Sequence, residues 1–308
     1  MSTARDDPSL AYTIPFQLTK KIHRRVPDAL QPEKAENSQA GKIIVVTGGG
    51  SGIGADDQAT AHVWVRAGAE GVVIVGRRKE RLEQTARSLE ALGKGTKILA
   101  IPADSTVEKD MLHVYSTVNK TFGRPADVVL ANAGALSAIK PLGEEEASEW
   151  WRIYQVNVLG LHHTVACWIK TQPFPKNPVG TVINVSSGLE GLVSPGLSAY
   201  STSKFAGHRY MEYLAAEYPS IRAFTLMPGI VPTDLADPQF LQYALDEGEQ
   251  TGALALYLAS PRGDYLKGSL TSINWDLDEM EARKSDIEQG LLKLKWVPVL
   301  PASGGSGI

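Results

Sequence analysis

The sequence predicts an α/β protein built on a doubly wound parallel sheet of about seven strands with helices on both faces. Three observations carry this. Six short apolar runs recur along the chain, each nearly continuous rather than alternating, which marks strands covered on both faces. Helix-length amphipathic segments separate them, and repeated strand–helix alternation winds such a sheet in two directions. The turn after the first run is rich in glycine, and sheets of this kind bind ligands beyond the carboxyl ends of their strands.

Taken in order, residues 1–40 are polar and aperiodic and predict an arm lying on the surface or partly disordered. The strands are expected at 42–47, 71–75, 97–102, 126–131, 180–185 and 221–227, with a weaker seventh at 269–274. Between them, "RLEQTARSLEAL" (81–92) reads as a helix. Residues 105–122 open with Ser105 and Glu108 at capping-box spacing. Residues 147–170 place Trp150, Ile153, Tyr154, Leu161 and Val165 on one stripe. No composition break marks a second domain, so 41–300 is expected to form one unit and 301–308 a flexible tail.

Composition narrows the function classes. Of 308 residues, 43% are hydrophobic and 21% charged, which is ordinary for a globular protein and supplies a sizeable core. A net charge of −3 gives no global attraction to nucleic acid or anionic membranes. No apolar run approaches the roughly 18 residues that a spanning helix needs. The first ten residues, "MSTARDDPSL", lack the apolar stretch of a secretory signal. Cys167 is the single cysteine, so no internal disulfide forms, which fits a reducing, cytoplasmic setting. In "HHTVACWIK" it reads as apolar filling rather than a nucleophile. The adjacent His162 and His163 point about 100° apart on a helix, so no metal site is expected.

The chemistry should lie in the turns after the strands. Thr47, Gly48, Gly50, Ser51, Gly52, Ile53 and Gly54 follow the first. Glycine lets backbone approach a pyrophosphate, and the N-terminus of the next helix favours its charge. After the second strand stand Arg77 and Arg78, where an NAD-preferring site carries an acid for the ribose 2′-hydroxyl. A basic pair suits a 2′-phosphate, so the cofactor is expected to be NADP(H), unless "RRKER" merely begins a solvated helix. Asp104, after the third strand, either accepts from the adenine amino group or caps the next helix. Asn132, Ala133 and Gly134 follow the fourth, small enough for ribose and nicotinamide to lie close to backbone. Pro228, Gly229, Val231 and Thr233 follow the sixth and close a wall near the nicotinamide.

After the fifth strand come Ser186 and Ser187, then Tyr200 and Lys204 in "YSTSK". Four residues apart on a helix, a phenol and an ammonium share one face. The positive charge favours phenolate, so the pair is either a tuned general acid/base or a coincidence of composition. Asn157 lies on an apolar stripe, where a buried amide needs partners. It either holds a kink or a water, or links Lys204 to solvent.

Across roughly residues 40–275 these features resemble the short-chain dehydrogenase/reductase family: the glycine turn 47–54, "ANAG", "VNVLG" (156–160), Ser187 with Tyr200 and Lys204, and "PGIVPT". The arm and the segment "YLKGSLTSINWDLDEME" are similar to a subgroup common in filamentous fungi. The resemblance implies a Rossmann fold with Tyr200 as acid/base, Ser187 (rather than Ser186) orienting the carbonyl, and Lys204 lowering the Tyr200 pKa while holding the ribose. It also implies Asn157 completing a proton relay, Thr233 seating the carboxamide, action on small ketones or secondary-metabolite carbonyls, and a homodimer or homotetramer formed through helices near 147–170 and 200–217. One departure stands out: about three extra residues lie between Gly54 and Gly68, with Asp56 and Asp57 expected in the first helical turn, where they would repel a pyrophosphate unless turned outward.

The expected reaction is NADPH-dependent reduction of a ketone or aldehyde. The same site used for a dehydratase, isomerase or cyclase step, or a non-catalytic NADP-binding partner, remain as alternatives. The substrate pocket is expected from Leu136, Ser137, Leu189, Glu190, Leu192 and Val193, with a lid of Leu235, Phe240, Leu241 and Tyr243. Its mostly apolar lining suits a hydrophobic carbonyl compound. Glu190 would either meet a polar substrate group or face water.

Overall fold

A computed structural model describes residues 10–55, 59–234 and 236–295. The expectations for Asp56, Asp57, Leu235 and the tail at 301–308 therefore fall outside the described residues. Seven parallel strands form one sheet: β1 (Ile43–Thr47), β2 (Gly71–Gly76), β3 (Lys97–Pro102), β4 (Val128–Ala131), β5 (Gly180–Val185), β6 (Ile221–Met227) and β7 (Leu270–Ser272). Their order is β3-β2-β1-β4-β5-β6-β7. All seven expected runs are strands, the weak seventh shortened to three residues.

Continuous apolar runs are required because successive side chains enter two different cores. In β1, Ile44 and Val46 face a layer with Trp64, Phe224 and Tyr257, all fully buried. Ile43 and Val45 face the other, with Met111, Tyr115 and Trp168. Burying an aliphatic or aromatic side chain of this kind stabilises by about 2–3 kcal/mol, so a charge at any β1 position is disfavoured from both sides.

The helices are α1 (Thr60–Arg66), α2 (Lys79–Ala91), α3 (Glu108–Phe122), α4 (Ala147–Tyr154), α5 (Gly160–Lys170), α6 (Ser198–Glu217), α7 (Glu249–Leu258), α8 (Leu277–Glu281) and α9 (Lys284–Glu288). Among the described residues no helix is long and apolar enough to cross a membrane, and no group of three His, Cys, Asp or Glu side chains could hold a metal. Cys167 is buried, which raises its thiol pKa.

Three local expectations are corrected. The expected capping box does not form: α3 begins at Glu108 with no side-chain cap. Asp104 instead closes the turn before the helix, accepting from the Thr106 N–H at 2.9 Å and hydroxyl at 2.8 Å. The glycine turn does not lead straight into a helix: a short 3-10 turn covers Gly52–Gly54, and α1 is described from Thr60. The predicted helix 147–170 is interrupted by a π turn at Gln155–Leu159 between α4 and α5.

The arm also departs from expectation. From residue 10 it runs as turns and short 3-10 segments, with Thr13, Thr19, Leu30, Asn37 and Gln39 buried. A backbone bridge pairs Ile22 with Trp275, just after β7, and the His23 N–H donates to the Asn274 carbonyl at 2.9 Å. The arm was unreadable as structure because its ordering partners lie about 250 residues away in sequence.

Candidate active site

Strand order reverses between β1 and β4, and the crevice opens there, as expected for a doubly wound sheet. Thr47 ends β1 and ties the two strand ends together. Its hydroxyl accepts from the Asn132 and Ala133 N–H groups, both at 3.1 Å, and the Asn132 amide donates to the Thr47 carbonyl at 3.0 Å. Asn132 thus ties the strand ends together without lining the crevice, whereas Thr47 lines it.

The cleft above β1–β3 is lined by Thr47, Gly48, Gly50, Ser51, Arg77, Arg78, Asp104, Ala133 and Gly134. Two glycines in its loop are spatially obligatory. Gly48 has φ of 69°, and a Cβ on Gly54 would lie 2.5 Å from the Gly48 carbonyl oxygen. Arg78 donates to the Ser51 hydroxyl at 2.8 Å, placing a guanidinium at the mouth beside Arg77. A close-packed glycine backbone with two arginines beyond β2 fits the phosphates of a dinucleotide. Asp104 lines this cleft, but its carboxylate is engaged by Thr106.

A second cavity adjoins it, with about 1120 Å³ of open space including its mouth. Ile53, Leu136, Ser187, Leu189, Tyr200, Pro228, Gly229, Val231, Thr233 and Phe240 line it. The Thr233 methyl packs over Gly52, 3.3 Å from where a Cβ there would stand, so this loop borders both spaces.

Tyr200 and Lys204 sit in the first turns of α6, with Lys204 Nζ 5.8 Å from the Tyr200 ring centroid. Lys204 is buried and donates to the Val185 carbonyl at the end of β5 at 2.8 Å. Burial lowers its pKa to about 8, and the Glu190 carboxylate opposes that fall. Burial also raises the Tyr200 phenol above its ordinary value; a hydrogen bond with Ser187 pulls it down and Glu190 pushes it up. The lowering expected from Lys204 does not prevail: burial leaves the phenol above its ordinary value, and Ser187 opposes the rise. Ser187 starts the 3-10 turn Gly188–Gly191 and accepts from the Leu189 N–H at 3.2 Å. Ser186 turns inward, buried, and donates to Glu190.

Asn157 lies in the π turn, buried, with its amide spent on neighbours. Its Oδ1 accepts from the Ala135 N–H at 2.8 Å, and Nδ2 donates to the Ala135 carbonyl at 3.0 Å and the Ser203 hydroxyl at 2.9 Å. It joins the loop after β4 to α6, and the irregular turn aims it there; π turns often mark such positions.

Other expected wall residues lie elsewhere. Glu190 does not face substrate or water: its side chain is 5% exposed and pairs with His208. Leu192 and Val193 line a shallow outer groove with Leu142 and Phe205, and Val193 is fully exposed. Ser137 is buried off the cavity, while Leu241 and Tyr243 stand outside its lining. In their place come residues that periodicity did not single out: Tyr12, Phe16 and Ile22 from the arm, and Asn274 and Trp275 after β7. The only hint in the sequence was the apolar cluster "AYTIPF" inside a polar stretch.

The family model described as short chain dehydrogenase matches residues 42–244. The short chain dehydrogenase mpl6 of Monascus purpureus is 31% identical over 272 residues, covering 85% of this chain and 91% of that protein. The short chain dehydrogenase andI of Emericella variicolor is 31% identical over 260 residues, covering 81% and 87%. A crystal structure of a short-chain type dehydrogenase/reductase from Mycobacterium marinum superposes with a TM-score of 0.69 at 26% identity, covering 77% of this chain and 95% of that one. On the match across 42–244 and the Rossmann-type sheet, this chain belongs to the short chain dehydrogenase family of oxidoreductases, similar to members from filamentous fungi.

Proposed function

We propose that the protein reduces a ketone or aldehyde on a hydrophobic compound, of the kind found in fungal secondary metabolism, with NADPH as reductant. The observation that carries this reading is the meeting of Ser187 and Tyr200 on the wall of an apolar cavity, with buried Lys204 behind them, beside a glycine-lined cleft that ends in Arg77 and Arg78.

The bound nicotinamide would supply the hydride. The glycine turn and the Ala133–Gly134 backbone would hold the dinucleotide, and Arg77 and Arg78 its 2′-phosphate. Tyr200, kept protonated at neutral pH by burial, donates its proton to the substrate oxygen as negative charge develops there. Ser187 turns its one hydroxyl proton from that phenol to the same substrate oxygen; stabilising developing charge is the largest contribution such a site makes. Lys204 keeps a positive charge behind the phenol at neutral pH. Asn157 fixes the loop after β4 against α6 and so sets the depth of the pocket. The exposed Trp151, Leu159, Phe205 and Tyr213 on α4–α6 and the turn between them support self-association through these helices.

The test is loss of NADPH absorbance over a panel of ketones, quinones and aldehydes, with NADH as control. Tyr200→Phe should abolish turnover while NADPH still binds. Near-normal turnover by that variant would reject the role of Tyr200, and substrate conversion without NADPH consumption would favour a dehydratase, isomerase or cyclase step.

A further inference from the structure

We propose that the arm at residues 12–24 is the outer wall of the substrate chamber and that it selects flat aromatic carbonyl compounds that carry no negative charge. This rests on the reading of Ser187 and Tyr200 given above. The catalytic pair and the arm line the same chamber. The Phe16 ring lies on the turn that follows Ser187: a Cβ on Gly188 would stand 2.7 Å from Phe16 Cε2, and one on Gly191 3.5 Å from Cε1. Gly188 leaves room for that ring, and Gly191 borders it. Tyr12 packs edge-on against Phe240, with centroids 5.3 Å apart, and against Tyr243 at 4.9 Å. Tyr12, Phe16, Phe240 and Trp275 all line the chamber, and aromatic rings favour offset and edge contacts with a flat aromatic guest.

The arm is fastened, not loosely adsorbed. The Trp275 indole donates to the Phe16 carbonyl at 2.8 Å. Arg24 donates to Asp246 Oδ1 at 2.9 Å and to the Thr13 hydroxyl at 2.9 Å. Asp246, 3% exposed, also accepts from the Ile230 N–H and the Asn274 amide. Breaking a buried pair of this kind strands a charge, so the arm is held in register. The same contacts exhaust Asp246. Asp237, the other carboxylate on the lining, accepts from the Gln239 N–H at 3.0 Å. No basic side chain lines the chamber among the described residues, so nothing there balances an anionic guest.

The experiment uses the full chain with 2-acetylnaphthalene as a two-ring ketone, cyclohexanone as a small one and 6-acetyl-2-naphthoate as a charged control. Binding is read by calorimetry and turnover by NADPH oxidation, with NADPH affinity as the check that each variant is folded. Wild type should bind 2-acetylnaphthalene at least tenfold more tightly than either of the others. Phe16→Ala and Tyr12→Ala should each reduce the naphthyl-over-cyclohexanone preference about tenfold, and Phe16→Leu should restore part of it. A preference within twofold of wild type in both alanine variants, or equal binding of the naphthoate, overturns the proposal. Failure of wild type to bind the naphthyl ketone while reducing cyclohexanone overturns it and leaves the role of Tyr200 standing. Selective, arm-dependent binding without reduction supports the wall and rejects that role instead.

Discussion

Glu190 Oε1 and His208 Nδ1 lie 2.5 Å apart, with 5% and 2% of their side chains exposed, directly beneath the Tyr200–Lys204 face of α6. Glu190 raises both the Lys204 and the Tyr200 pKa. A buried carboxylate held by a histidine therefore keeps Lys204 charged. Glu190→Gln removes that charge while keeping an acceptor for His208. Lys204 should then lose its proton below the present value of about 8. The alkaline limb of kcat/KM for NADPH, which reports the free enzyme, should move to lower pH, with activity at pH 8 down about 3–10-fold. An unmoved limb would make Glu190 a packing residue only.

Lys204 itself costs stability. Lowering its pKa from 10.5 to about 8 corresponds to roughly 3 kcal/mol. The native state holds fewer protons than the unfolded one between those values, so this group makes stability rise with pH there, and the full penalty is present below about 8. Lys204→Met should abolish turnover yet unfold at higher urea at pH 7, by about 1–2 kcal/mol after loss of the Val185 hydrogen bond. That gain should vanish above pH 10. Destabilisation of the variant at pH 7 would refute the sign.

The Arg78–Ser51 contact at the cleft mouth makes a prediction about cofactor choice. Arg78→Ala should raise the KM for NADPH by about 10–100-fold, the worth of one charge-assisted hydrogen bond, and leave the KM for NADH within about twofold. Equal loss with both cofactors would place Arg78 in the fold of the loop rather than on a 2′-phosphate.

Gly229 has φ of 69°, and a Cβ there would overlap the Asp246 carboxylate. Gly229→Ala should therefore lower stability by about 2 kcal/mol or more, through backbone strain and displacement of the acid that holds Arg24. Urea denaturation measures it; an unchanged midpoint would mean that Asp246 moves aside freely.

The sequence by itself determined the strands, the glycine turn and the Tyr200–Lys204 face, because each is written in local spacing: apolar runs for strands buried on both sides, glycine for a backbone with no room for Cβ, and i, i+4 for one helical face. Long-range packing was needed to show that Glu190 turns inward to His208, that Asp104 holds the turn before α3, and that the arm reaches the chamber. Each of these is settled by where a polar side chain finds its partner. Arg24 and Asp246 meet across 222 residues, and hydrophobic periodicity carries no information about which distant acid a given arginine will find.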